Sequence, residues 1–275
     1  MGRIFKLIAG LFICLVTSAQ EGPVRGTWVT NVASEALNSR ENIKKVVDQS
    51  KAAGLNHLFV VVWNKGVTIY PSKVLQKYIG VKQDDHYPGR DPLQEMIEEA
   101  HQQGIKVHAW FEFGFSYGYK DTSSSWFKRY PAWLGRNNKG ELLQKNGFFW
   151  WNGLHPEVQY FMHDLVLEVV KNYKVDGIQG DDRLPAMPSE GGYDSFTTKE
   201  YAKEHNGLSP TLDTKNPAWV QWRANKLSAF AKDLFKNIQK QYQISFSDQS
   251  VNVNDIFPIQ KIVHTVRPQG LVDRK

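Results

Sequence analysis

The chain has 275 residues, 41% of them hydrophobic and 13% aromatic, and a formal net charge of +6 at pH 7. That length and apolar content suffice to bury the core of one sizeable α/β domain. The positive excess is small and its lysines are scattered among acids, which describes an ordinary solvated surface and excludes a nucleic-acid footprint.

Residues 1–19 read as a secretory signal peptide. Arg3 and Lys6 precede the apolar run Leu7 to Val16, and the small residues of Thr17-Ser18-Ala19 mark a cleavage site. A ten-residue run is too short to span a bilayer as a helix. Leu11-Phe12-Ile13, ahead of Cys14, lack the small residues of a lipoprotein cleavage site, so no lipid anchor is expected. The expectation is a secreted or periplasmic protein with no membrane attachment after cleavage. Losing Arg3 and Lys6 lowers the net charge from +6 to +4. Cys14 is the only cysteine, so the mature chain offers no disulfide, thiol chemistry or Cys-ligated metal.

The first strand is predicted at Arg25 to Asn31 (RGTWVTN). Ser39 then caps a helix with Ile43, Val46 and Val47 at i, i+3 and i+4, ending near Gly54. Leu55 to Trp63 (LNHLFVVVW) is a second strand, with the long apolar run of one covered on both faces. A loop of 27 residues, from Asn64 to Arg90, follows; one so long in a compact domain is more often functional than idle. Asp91-Pro92 opens a second helix with Leu93, Met96, Ile97 and Ala100 on one stripe. Ile105 to Phe113 (IKVHAWFEF) is the third strand. The phrases AAGLNHLFVVVW and AHQQGIKVHAWFEF repeat one helix-to-strand unit, the rhythm of a (β/α) barrel.

A second excursion, Gly114 to His155, holds Trp126, Trp133, Trp150 and Trp151. Its FFWW phrase, Phe148 to Trp151, reads as a packed anchor rather than a binding platform. Pro156 starts a third helix, which leads to the fourth strand, Val175 to Gly180. Pro217 opens a fourth helix, and Gln243 to Phe246 is a short fifth strand. Residues 249–275 show no further βα unit.

The fourth strand ends in Asp181, Asp182 and Arg183. Side chains alternate along a strand, so Gly177, Gln179 and Asp181 share one face, and in a barrel the reactive groups sit where strands end. Asp181 is therefore the first candidate for a catalytic carboxylate. The alternative is that Asp181 and Asp182 merely cap a turn before Pro185.

The phrases RGTWVTN, VVVWNKGVTIYPS, GIKVHAWFEF, NGLHPEVQ and VDGIQGDDRLP, in that order from about Arg25 to about Ser247, resemble the glycosyl-hydrolase-like family 10 domain of bacterial exported proteins, formerly domain of unknown function 187. The resemblance implies a (β/α)8 TIM-type barrel distantly similar to the α-amylase clan. That clan ends its fourth strand in Gly-apolar-Arg-x-Asp, whose Asp is the nucleophile. Gly177-Ile178-Gln179-Gly180-Asp181 fits with Gln179 in place of Arg, which puts Asp181 at the nucleophile position. The clan's general acid, a Glu ending the fifth strand, has no counterpart here; Asp248 is the nearest acid.

Glycosidic cleavage needs two carboxyl groups flanking the bond, one ionised and one protonated. Asp181 suits the ionised role. Its partner is Glu112, which ends the third strand in parity with His108 and Trp110, or else Asp182 or Asp248; Glu112 reads equally well as a strand-end carboxylate paired to a Lys or Arg. Sugars stack on aromatic rings and hydrogen-bond to planar polar groups. Trp28, Trp63, Asn64, Tyr70 and Trp110, at or just past strand ends, are candidate substrate contacts, with Gln179, Arg183 and His155. For each Trp a place in the core is an equal alternative, and His155 reads equally as a loop-ordering residue. His57, His101, His108 and His155 form no metal-binding pair, and neither a phosphate loop nor a GxSxG elbow occurs; no cofactor is expected.

The sequence thus predicts an α/β fold of (β/α)8 TIM-barrel type, incomplete and with about five βα units. The signal occupies residues 1–19, the partial barrel 20–248 and an irregular tail 249–275. A carbohydrate is the expected partner, with self-association through the open barrel edge. The expected function is an exported glycoside hydrolase; the alternative is a non-catalytic glycan-binding or inactive, truncated remnant.

Overall fold

The computed structural model describes residues 23–121 and 124–246. The signal segment, Asp248 and the tail 249–275 lie outside them. In chain order the elements are β1 (Gly26–Val29), α1 (Arg40–Ala52), β2 (His57–Val61), β3 (Trp63–Asn64), β4 (Val67–Thr68), α2 (Lys73–Ile79), α3 (Pro92–Gln102), β5 (Lys106–Trp110), β6 (Ser116–Tyr119), α4 (Ser125–Arg129), a 3-10 turn (Pro131–Trp133), β7 (Gln144–Lys145), β8 (Phe148–Trp150), α5 (Pro156–Asn172), β9 (Gly177–Gln179), α6 (Ser195–Glu204) and α7 (Pro217–Phe246).

The helix starts follow from their caps. The Ser39 hydroxyl accepts from the Asn42 amide, and the Asp91 carboxylate accepts from that of Gln94, with Pro92 in the first turn. Each cap satisfies an amide that has no partner within its own helix.

β1, β2, β5 and β9 form one parallel sheet in that order. Helices cross between successive strands, as parallel pairing requires. On one face Leu58, Val60, Val107 and Ala109 are completely buried in the core that also holds Ile43 and Val47 of α1 and Leu93 and Met96 of α3. The opposite face carries a continuous run of rings: Trp28 stacks on Phe59 at 5.3 Å, Phe59 on His108 at 4.7 Å, and His108 on His57 at 4.9 Å. Among the described residues this is a four-stranded part of a TIM-type barrel wall, its inner face lined by aromatic and polar groups.

The predicted fifth strand is not a strand. Gln243 to Phe246 is the last turn of α7, so the described residues hold four parallel strands rather than five. Leu234, Ile238 and Tyr242 recur every fourth residue and are all buried, and the Tyr242 hydroxyl donates to the Val175 carbonyl at 3.0 Å. Packing against α5 thus sustains the helical period through a segment with weak local preference.

The two predicted excursions are also structured. Between Asn64 and Arg90 the chain forms the β3–β4 hairpin and then α2, capped by Ser72. The second excursion builds the antiparallel sheet β6-β8-β7 and α4. Trp126, Trp133 and Trp151 interlock there with Trp63 and Phe161, with ring centroids 4.8–6.3 Å apart. The FFWW phrase is an anchor: Phe148 to Trp150 form β8 and Trp151 is wholly buried.

Candidate active site

β5 and β9 pair with His108 opposite Gly177 and Trp110 opposite Gln179. Glu112 and Asp181 come two residues later on their respective strands, so they leave the sheet at its C-terminal end on the face of Trp110 and Gln179. A single cation joins them. One Arg183 nitrogen, Nη2, lies 3.8 Å from a Glu112 oxygen and 3.5 Å from an Asp181 oxygen. The other, Nη1, lies 3.3 Å from Asp182.

Glu112 is the more enclosed of the pair, its side chain 17% exposed against 30% for Asp181. Burial raises the Glu112 pKa above the ordinary carboxylate value. The positive charge of Arg183 and a hydrogen bond from Asn64 oppose that rise, and the negative charge of Asp181 adds to it. Asp181 is held from two sides: the Trp110 indole donates to one oxygen at 3.2 Å and the Asp182 amide to the other at 2.7 Å.

Asn64 reaches Glu112 because of a tight turn. Trp63 pairs with Thr68 and Asn64 with Val67, and both intervening residues have positive φ, 51° at Lys65 and 78° at Gly66. That combination defines the type I′ hairpin, which glycine readily allows. The Asn64 amide donates to Glu112, and the Lys65 charge acts on the same carboxyl.

Arg183 is embedded. Its Nε donates to the Glu112 carbonyl at 2.8 Å, and its guanidinium lies 4.5 Å from the Phe148 ring centre and 5.8 Å from that of Phe113. The Arg183 backbone carbonyl accepts from Phe115 at 2.9 Å, across Gly114. A Cβ on Gly114 would stand 2.1 Å from that carbonyl oxygen, so this close passage needs glycine. A small cavity of about 50 Å³ adjoins the cluster, bordered by Phe148, Trp150, Asp182 and Arg183.

The remaining predicted site residues divide. Trp28 is 55% exposed, and its indole donates to the Gln179 side chain at 3.0 Å. Trp28, Gln179, Trp110, Asp181, Glu112, Asn64, Arg183 and Asp182 are therefore linked, directly or through a neighbour, around the end of the sheet. Trp63 and Tyr70 are completely buried. The Trp63 indole donates to the Gly114 carbonyl at 3.0 Å within the tryptophan cluster, and the Tyr70 hydroxyl lies 3.3 Å from Glu168; neither presents a ring face to a ligand. His155 caps α5, its Nδ1 accepting from the Glu157 amide at 3.3 Å, and packs on Phe196. Phe113 and Phe148 beneath Arg183 were absent from the sequence-based selection. Phe148 comes from the other sheet, and no spacing in the sequence connects it to Arg183.

A wall of parallel strands covered by helices, ending in acidic groups, defines an α/β protein of TIM-barrel type. The catalytic domain of β-amylase from Paenibacillus polymyxa superposes with a TM-score of 0.54 at 10% identity, covering 82% of this chain and 64% of that one. A hypothetical protein from Ruminiclostridium thermocellum superposes with a TM-score of 0.52 at 15% identity, covering 76% and 91%. These likenesses establish the fold. The family described as glycosyl hydrolase-like 10 matches residues 23–261, and this chain belongs to that family. Glycosyl hydrolase DigH of Escherichia coli O6:H1 is 31% identical over 249 residues, covering 88% of this chain and 55% of the relative. The chain thus spans about half the length of that relative.

Proposed function

We propose that this protein cleaves a glycosidic bond in a poly- or oligosaccharide, with Glu112 as general acid and Asp181 as nucleophile or transition-state stabiliser. The supporting observation is that the two carboxyl groups meet at one guanidinium nitrogen, 3.8 and 3.5 Å away. The shared nitrogen holds these two oxygens closer together than the upper limit of about 9.5 Å for paired carboxylates in glycoside hydrolysis. Environment assigns the roles. Glu112 is enclosed and its proton is retained to higher pH, which suits an acid that protonates a leaving oxygen. Asp181 is more open and accepts hydrogen bonds from the Trp110 indole and the Asp182 amide. Trp28 offers the exposed ring on which an apolar sugar face would stack, and Gln179 sets its orientation. The signal-peptide reading of residues 1–19 supports a reaction outside the cytoplasm.

The test is hydrolysis across a panel of cell-wall and storage glycans. Glu112→Gln and Asp181→Asn should each lower kcat by about 10²–10⁴-fold without changing the melting temperature by more than a few degrees. Activity should decline on the alkaline side as Glu112 loses its proton, at a pH above the ordinary glutamate value because burial raises that pKa. Equal rates in wild type and Asp181→Asn would remove Asp181 from the mechanism. A non-catalytic glycan-binding role draws on the exposed Trp28 ring alone; saturable binding that Trp28→Ala abolishes, with no turnover of any glycan, would favour it.

A further inference from the structure

Arg183 carries an inference that rests on the glycosidase reading and deepens it. Each nitrogen of its guanidinium already faces a protein group. Nε is bonded to the Glu112 carbonyl, Nη2 faces Glu112 and Asp181, and Nη1 faces Asp182. One flat face rests on Phe148 at 4.5 Å, and only 12% of the side chain is exposed.

We propose that Arg183 is a positioning residue: its guanidinium ties the two reacting carboxyl groups to a single cation, whose charge sets the pH at which Glu112 gives up its proton. The cation reaches both carboxyl groups from one nitrogen. Nη2 is nearer Asp181 than Glu112, and Asp181 also accepts from Trp110 and from the Asp182 amide. Asp181 thus has the cation and two further donors, while the more enclosed Glu112 has the cation and the Asn64 amide. The aromatic bedding from Phe148 and Phe113 keeps the plane of the guanidinium from rotating away. The other groups that bear on Glu112 are Asn64 and Lys65 of the hairpin, and Asp182 competes for the guanidinium from the solvent side. Because Arg183 acts through these carboxyl groups, its role is to set the pH at which the acid is spent.

The experiment is a carboxyl ¹³C NMR titration of the whole protein, with the Glu112 resonance identified by its loss in Glu112→Gln. Wild type is compared with two neutral variants of different packing demand, Arg183→Met and Arg183→Gln, and with Arg183→Lys. An opposite charge at this range lowers a carboxyl pKa by about 1–3 units, so the Glu112 midpoint should rise by about one pH unit or more in whichever neutral variant folds. Arg183→Lys should recover at least about half of that rise, because it restores the charge without the planar fork. A residue that only packs the site would leave the midpoint where it was. A Glu112 midpoint within about 0.2 unit of wild type in the neutral variants overturns the proposal, as does an equal rise in Arg183→Lys. The titration needs no turnover. A shifted midpoint with no hydrolysis of any glycan would remove the glycosidase reading alone, and hydrolysis with an unshifted midpoint would remove this one alone.

Discussion

The parallel wall and the tryptophan-rich excursion beside it present two contrasting ways of using aromatic residues. In the wall, Trp28 and Trp110 hold functional polar groups by their indole nitrogens, and Trp28 keeps more than half its surface in solvent. In the excursion, Trp126, Trp133 and Trp151 are almost wholly buried against one another and against Trp63 and Phe161. The wall supplies the carboxyl groups. The excursion supplies the floor under the cation between them, since Phe148 belongs to β8 and lies beneath Arg183. A residue type therefore says little about function here; what separates the two groups is whether a ring is held by a polar partner at the sheet's end or packed among other rings.

The sharpest way to break that contrast is Trp151→Ala. Trp151 is fully buried and touches the rings of Trp63, Tyr117, Trp126, Trp133 and Phe161. Truncating a buried aromatic leaves a cavity as well as losing burial, so unfolding in urea should show a loss of about 3–5 kcal/mol. A loss below about 1 kcal/mol would mean that the excursion is not part of the core.

Gly66→Ala probes the junction between the regions. Gly66 has φ of 78°, and an added Cβ would stand 2.7 Å from the Tyr117 carbonyl oxygen and 2.9 Å from the Trp126 ring. A non-glycine residue forced into left-handed backbone costs about 1–3 kcal/mol, to be read from the same urea titration. Displacing the turn should also withdraw Asn64 from Glu112 and so lower kcat. Unchanged stability and rate would detach the hairpin from the site.

Trp28→Ala should have the smallest effect on folding. Its exposed ring rests on Phe59, and such aromatic pairs contribute about 0.5–1.5 kcal/mol. The effect on substrate should be larger, seen as a raised KM with kcat little altered, because the ring grips the sugar without touching the reacting bond. A fall in kcat at constant KM would move Trp28 from binding into the chemistry.

Much of the wall was legible because its signals are local. The repeated helix-to-strand phrase marks α1–β2 and α3–β5, and Ser39 and Asp91 cap the helices expected of them. The parity that set Asp181 with Gln179, and Glu112 with Trp110, is a property of extended backbone and persists past the ends of β5 and β9. A strand is predicted at Gln243 to Phe246 because four residues of sequence do not reveal that the preceding buried stripe of Leu234, Ile238 and Tyr242 belongs to a helix that runs on through them. Trp63 and Tyr70 were placed near a strand end correctly, but nearness along the chain does not say whether a ring turns outward or into the core.

What the sequence determined by itself is periodic and short in range: the caps, the alternation of faces, the strand-end acids and the family resemblance, each set by a residue and its near neighbours. What only the tertiary structure decided is which distant groups share one point in space. The Arg183 guanidinium meets Glu112 from 71 positions earlier, by way of its backbone carbonyl, and rests on a phenylalanine of a separate sheet. Charge and burial act through distance in three dimensions, and that distance is created only when the strands align and the excursion folds back beneath their ends.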